Sequence, residues 1–382
     1  MDKMIKRLLS AIGISALVLS AAAVFVALWH RLETPQLQES VLPGNAHLYR
    51  WRLGHISYMT MGDPSAPALA LLHTPALGAS SYEMRKIAAT LAQRYHVYAL
   101  DLPGFGLSDR PAIEYSAQTY IDLLRDFLAE VVGQPATLLA SGLSCNYAVS
   151  AAASDPARCS RLVLISPYAL TGAARVPDML SRLAALPQIA FFLYPLLCGR
   201  QALRGLLAAR HHTSVRGVAA SEVDQLYAAT HQFGAEHAPL ALIIGRLDID
   251  ASRDFAALTQ PTLIIWGARA FHDALPAVGE YQFPAQAEIV FVQDAGLFVH
   301  EEAPAAVVAD IEEWSKAQAA ATRSSSEMGD AAALEIYCLK CRAKRAVTNP
   351  RAVTLSNGRP AFSGPCPVCG TMLYRMRQRQ TT

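Results

Sequence analysis

Ala140-Ser141-Gly142-Leu143-Ser144-Cys145-Asn146 joins two stretches of different character. Before it, Pro135-Ala136-Thr137-Leu138-Leu139 is short and apolar and reads as a strand; after it, Tyr147 to Ala157 reads as a helix that ends around Asp155-Pro156. A strand that passes into a helix through so few residues must turn tightly, and small residues let the backbone approach its neighbours. Aligning the strand, the turn and the helix end puts Gly142 at the apex.

Working outward, Ala68-Leu-Ala-Leu-Leu-His73 is an apolar strand ending in His, and Tyr95 to Leu100 is a second. Asp101-Leu-Pro-Gly-Phe-Gly-Leu-Ser-Asp-Arg110 follows it. Arg161-Leu-Val-Leu-Ile-Ser166-Pro167 and Pro261-Thr-Leu-Ile-Ile-Trp-Gly267 read as two further core strands, and Asp294-Ala-Gly-Leu-Phe-Val-His-Glu-Glu302 as a loop. Taken in this order, the segments resemble the α/β-hydrolase fold over roughly residues 45 to 317. The resemblance makes the opening segment the nucleophile elbow, G-x-S-x-G, whose turn lifts a Ser hydroxyl above the sheet.

The resemblance also implies a triad in the order Ser, acid, His, in which a positioned base takes the proton of the hydroxyl. The three expected positions hold Gly142, Ala270 and Leu297. In the loop that would stabilise an oxyanion, His73-Thr74-Pro75 replaces H-G-x, and Pro75 has no N–H to donate. Shifting the register by two residues gives Gly142-Leu-Ser144-Cys-Asn146, which makes Ser144 a candidate nucleophile and His300, on the expected loop, its candidate base. Against this, Ser144 in a first helical turn can simply satisfy free N–H groups. Cys145 reads as a small buried hydrophobe more readily than as a thiolate nucleophile, and Asp294, His272 and Asp273 read as solvated loop residues.

Between Pro167 and Asp254 the chain is rich in Leu and Ala, as in Met179 to Leu197 and Gln201 to Ala209. Apolar residues recurring at three- and four-residue spacing indicate helices, and their place in the order matches the cap of the resembled fold. Phe191, Phe192, Tyr194 and Phe233 suit either an apolar ligand or packing within the cap.

Leu8 to Trp29 is an uncharged run long enough to cross the ~30 Å hydrocarbon core as a helix. Lys3, Lys6 and Arg7 precede it, so the positive-inside rule puts the N-terminus in the cytoplasm and the globular part outside. The apolar run continues past Ala21-Ala22-Ala23, which favours an uncleaved anchor over a secretory signal.

At the other end, Cys338-Leu-Lys-Cys341 and Cys366-Pro-Val-Cys369 form two C-x2-C pairs, the spacing of a tetrahedral S4 zinc site. Two disulfides are the alternative that an extracytoplasmic position would permit. Tyr337-Cys-Leu-Lys-Cys341, Asn349-Pro350, Ala352 to Pro360 and Cys366-Pro-Val-Cys-Gly370 together resemble the DUF5679 family, a small zinc-ribbon domain of unknown function.

The chain has 382 residues with a formal net charge of +2, a balance that says little about partners. The tail differs: Lys340, Arg342, Lys344, Arg345, Arg351, Arg359, Arg375, Arg377 and Arg379 face a single acid, Glu335. Such a tail suits anionic lipid or nucleic acid, or simply a solvated small domain. The expected organisation is a membrane anchor (1–35), an α/β-hydrolase-fold domain (36–318, with a helical cap at about 168–253), a linker (319–333) and a zinc ribbon (334–382). Two functions fit it: hydrolysis of a small apolar ester-like substrate through Ser144 and His300, or a catalytically silent protein that binds a ligand or partner.

Overall fold

The computed structural model describes residues 40–167, 194–210, 215–269, 284, 286–329, 335–338, 340–341, 343–347, 351–354 and 360–376. The chain divides into two compact units, Met1–Glu313 and Trp314–Thr382.

The first unit is built on an eight-stranded sheet. Its strands are β1 (Asn45–Trp51), β2 (Gly54–Met61), β3 (Ala68–Leu72), β4 (His96–Leu100), β5 (Ala136–Ser141), β6 (Cys159–Ile165), β7 (Thr262–Gly267) and β8 (Ala287–Val292). They lie in the order β1-β2-β4-β3-β5-β6-β7-β8. β1 pairs antiparallel with β2 and β2 with β4, while β4 through β8 run parallel. Every residue of β3, β5 and β7 is buried. Parallel strands covered on both faces must be apolar throughout rather than alternating, which is why ALALL, ATLLAS and TLIIWG look as they do.

The helices of this unit are α1 (Arg85–Leu91), α2 (Ala117–Phe127), α3 (Ser144–Ser154), α4 (Arg200–Arg210), α5 (Ala220–Thr230), α6 (His237–Ile243), α7 (Ser252–Ala257) and α8 (Val299–Glu302), while α9 (Pro304–Gly329) starts in it and ends in the second unit. Ser116 and Thr119 form a capping box that starts α2, whose Tyr120, Ile121, Leu124 and Phe127 are buried. α3 is buried along nearly its whole length, and its Ala-rich sequence lets it lie close to the sheet. It begins at Ser144, earlier than the expected Tyr147. The extra turn is made by short-range bonds, Cys145 N–H to Gly142 O (3.2 Å) and Asn146 N–H to Leu143 O (3.1 Å). In the cap region, α4 and α5 share a small core of Leu203, Leu207, Val223 and Leu226.

Residues 319–329, within the expected linker, are helical as the end of α9. Ala319, Ala320, Ala321, Arg323, Glu327 and Met328 are good helix formers, and they extend a helix already running from Pro304, in which Thr322 and Ser324 to Ser326 cost little and no apolar face is required. Among the described residues no helix is long and apolar enough to cross a membrane; the expected anchor, Leu8 to Trp29, lies outside them.

The second unit contains a hairpin of β9 (Glu335–Cys338) with β10 (Ala343–Ala346). A three-stranded sheet of β11 (Arg351–Thr354), β12 (Pro360–Pro365) and β13 (Met372–Met376) accompanies it. Its buried cluster is Cys338, Val347, Cys366 and Leu373. A core this small cannot offset the chain entropy of folding by itself, so the four cysteines around it matter for stability.

Candidate functional site

The turn between β5 and α3 has Gly142 at its apex with φ +54°, a left-handed conformation that glycine adopts without strain. Gly142 N–H donates to Ile165 O (3.0 Å), which fixes the turn against β6. A β-carbon at Gly142 would meet Thr74 Oγ1 at 2.5 Å. That hydroxyl accepts the N–H of Leu143 (3.2 Å), the residue after the apex, whose N–H points at the reacting carbonyl in a working elbow. The protein therefore fills the space above its own turn.

Thr74 is placed by the loop after β3. Leu102 N–H donates to His73 Nε2 (3.1 Å), so the Nδ1 of this buried ring carries the proton and donates to Thr74 O (3.0 Å). The segment after β4 supports the same region. Asp101 accepts from Ser81 N–H (2.7 Å) and Leu107 N–H (2.8 Å), and Ser108 Oγ donates to Asp101 O (2.6 Å). Holding Ser81 fixes the short 3-10 turn Ser81–Met84, and with it Glu83.

Glu83 is buried and gathers donors from every side. Thr74 N–H reaches its Oε2 (3.3 Å) and the Ser141 hydroxyl donates to its Oε1. His300 Nε2 lies 3.2 Å from Oε1, and Arg210 Nη2 3.5 Å from Oε2. His300 is at ion-pair distance but out of line for a hydrogen bond, and its Nδ1 has no partner either. Burial pushes the Glu83 carboxyl up, yet the His300 ring, the Arg210 guanidinium and the Ser141 hydroxyl together outweigh it and hold the group at about 2.

The network extends to the helices of the cap region. Arg210, the last residue of α4, pairs with Glu301 (2.7 Å), and Arg85 pairs with both Glu301 (3.2 Å) and Glu222 of α5 (3.1 Å). Arg85 also lies over the Tyr82 ring (4.0 Å) and Arg210 over the Phe298 ring (3.5 Å). Glu83, Glu222 and Glu301 thus gather around Arg85, Arg210 and the His300 ring. A shallow pocket opens beside them, lined by Tyr82, Glu83, Arg85, Leu207, Arg210 and Leu226 among others. Sequence reasoning missed Glu83, Arg85, Arg210, Glu222 and Glu301. No local sequence signal marks them: Glu83 follows Ser80-Ser81-Tyr82, Arg85 precedes Lys86, and Glu301 sits between His300 and Glu302.

The expected catalytic residues fall as follows. Ser144 is buried at the start of α3 and its hydroxyl donates to His73 O (2.6 Å). His300, buried on α8, faces Glu83. Cys145 is fully buried with its thiol toward Ala140 O (3.3 Å), and burial pushes the thiol well above its ordinary range, so it stays protonated. Leu297 is half-buried, and Asp294 has φ +59° with its carbonyl accepting from Arg269. Ala270, His272, Asp273, Phe191 and Phe192 lie outside the described residues. Tyr194 donates to Thr230 O (2.9 Å) and Ala235 O (3.0 Å), while Phe233 is 91% exposed.

In the second unit the four sulfurs of Cys338, Cys341, Cys366 and Cys369 lie within 4.8 Å of one another. Cys338 Sγ is 3.5 Å from Cys369 Sγ, and Cys341 Sγ is 3.9 Å from Cys366 Sγ. A tetrahedron with metal–sulfur bonds of about 2.3 Å has edges of about 3.8 Å, so the spacing fits a tetrathiolate metal site. All four thiols are free, and Cys341 N–H points at Cys338 Sγ (3.4 Å). Gly370, with φ +70°, closes the second knuckle through its N–H to Cys366 O (2.9 Å).

Comparison with known proteins agrees with both units. The alpha/beta hydrolase family matches residues 69–311, and a domain of unknown function, DUF5679, matches residues 337–376. The uncharacterized proteins Rv2715 of Mycobacterium tuberculosis and Mb2734 of Mycobacterium bovis are each 34% identical over 123 residues, 32% of this chain. The match spans only 35% of their length. Among solved structures, Cfl2 from Burkholderia cenocepacia is similar with TM-score 0.60 and 21% identity, over 74% of this chain and 99% of its own. A membrane phospholipase A described as a bacterial virulence factor gives TM-score 0.58 and 20% identity over 83% and 99%. The epoxide hydrolase CorEH gives TM-score 0.58 and 20% identity over 71% and 98%. At these identities the likeness speaks for the fold alone.

Proposed function

The chain belongs to the alpha/beta hydrolase family, and within it we propose a membrane-anchored, catalytically silent member that works by binding a ligand or partner. The observation that carries this reading is the apex of the turn. It holds Gly142, and the Thr74 hydroxyl stands where a nucleophile's side chain would begin. Function resides in a site rather than in a fold. Here both the N–H of Leu143 and that of Thr74 are taken by the protein's own Thr74 hydroxyl and Glu83 carboxylate.

The competing reading, hydrolysis of a small ester through Ser144 and His300, asks for a hydroxyl that a base can reach. The Ser144 proton is committed to His73 O and His300 is turned to Glu83. A fluorophosphonate probe separates the two readings, because only an activated Ser reacts with it. The silent reading expects no labelling of Ser144; labelling there would reject it.

The Leu8–Trp29 run and its Lys3, Lys6 and Arg7 flank support an N-terminal anchor, with the N-terminus cytoplasmic and the globular part outside. The four converging thiols support a structural zinc ion held by Cys338, Cys341, Cys366 and Cys369. The ion would tie the two knuckles into one folded module.

A further inference from the structure

We propose that the C-terminal unit is a docking face for an anionic lipid bilayer, with Lys340 and Lys344 against headgroup phosphates and Tyr337 in the interfacial layer. This deepens the membrane-anchor reading by giving the tail a task at the same surface.

Charge is the first argument. The chain's 33 basic and 31 acidic side chains divide unevenly: nine basic and one acidic fall within residues 334–382. The tail thus carries +8 against −6 for everything before it. Four thiolates around a divalent ion would bring a charge of −2 and leave the tail strongly positive. Such a segment is drawn to anionic headgroups by about 1 kcal/mol for each Lys or Arg brought near the surface.

Geometry is the second. In the β9–β10 hairpin Tyr337 pairs directly opposite Lys344, and residues directly opposite in an antiparallel ladder share a face. Tyr337 is 52% exposed, and Lys344 is exposed as well. Lys340 is exposed on the first knuckle, between Cys338 and Cys341. Pro367 and Val368 are exposed on the second, between Cys366 and Cys369, with Val368 at 64%. The sulfurs lie within 4.8 Å of one another, so the two knuckles sit side by side. Cations beside an exposed phenol and an exposed aliphatic side chain make an interfacial surface: the charges meet phosphates while Tyr and Val enter the layer beneath.

Single-stranded nucleic acid would use the same cations but needs aromatic platforms for successive bases. Beside Lys340 and Lys344 the described surface offers one such ring, Tyr337, and Val368 would be left in water. A bilayer accommodates both. An anchored chain holds its tail at high effective concentration beside the surface, so that weak headgroup contacts suffice.

The test uses the full chain carrying Tyr337→Trp, mixed with vesicles of brominated phosphatidylcholine, with and without phosphatidylglycerol. Emission in excess of the unsubstituted chain should shift to the blue and be quenched when phosphatidylglycerol is present, and should do neither on phosphatidylcholine alone. Adding Lys340→Glu and Lys344→Glu should weaken the effect roughly tenfold or more, with unchanged metal content and unchanged far-ultraviolet dichroism showing that the unit stays folded. Equal quenching on both vesicles, none on either, indifference to the charge reversal, or tighter capture of a single-stranded oligonucleotide than of phosphatidylglycerol vesicles would each overturn the proposal. Flotation on pure phosphatidylcholine reports the anchor separately, since that association needs no charged lipid.

Discussion

The Thr74 hydroxyl and the Gly142 backbone occupy the volume that a nucleophile would need: a β-carbon at position 142 would sit 2.5 Å from Thr74 Oγ1. The same hydroxyl accepts the Leu143 N–H (3.2 Å). One threonine therefore blocks the side chain and satisfies the donor that a substrate carbonyl would use in a working elbow.

Restoring the missing hydroxyl should consequently harm the protein without helping it. Gly142→Ser places a side chain at φ +54° against Thr74, which should cost about 2–4 kcal/mol in chemical denaturation. Combining it with Thr74→Ala should recover part of that loss, because the two sites share one contact. Simple additivity of the two costs would contradict the steric account.

Glu83 should report its surroundings through pH. Its carboxyl lies at about 2 against an ordinary value of 4.5, which corresponds to roughly 3 kcal/mol of stability. A lowered acid contributes fully above its unfolded value and loses that contribution as pH falls toward its folded value. The difference in stability between the wild type and Glu83→Gln should thus be large at neutral pH and shrink between about pH 4.5 and 2. Denaturant titrations of both proteins across this range check it; a difference independent of pH would refute the charged network around Glu83.

The two units should fail independently. Replacing any one of Cys338, Cys341, Cys366 or Cys369 with Ser should abolish stoichiometric zinc binding and unfold the small unit. The melting transition of the hydrolase-fold unit, with its own core, should stay in place. Elemental analysis with calorimetry reads both, and disulfides in place of zinc would overturn the metal assignment.

Much of the first unit could be read from the chain because parallel, doubly covered strands leave continuous apolar runs. ALALL of β3, ATLLAS of β5 and TLIIWG of β7 stand out at once, and the apex glycine between β5 and α3 can be placed from its neighbours. The cysteine pairs were legible for a similar reason, their chemistry being encoded in local spacing. The Glu83 network was not. Glu83, Arg210, Glu222 and Glu301 come from four separate segments, and no local pattern announces that buried charges will meet. The end of α9 escaped notice because Ala-rich, polar sequence can be helix without any face that demands burial.

Steady-state hydrolysis of p-nitrophenyl esters by the wild type, Ser144→Ala and His300→Ala tests the central claim most directly. A silent site predicts that all three release product no faster than heat-denatured protein. Wild-type turnover that disappears in both variants would show that the shifted register is the active one and contradict the account.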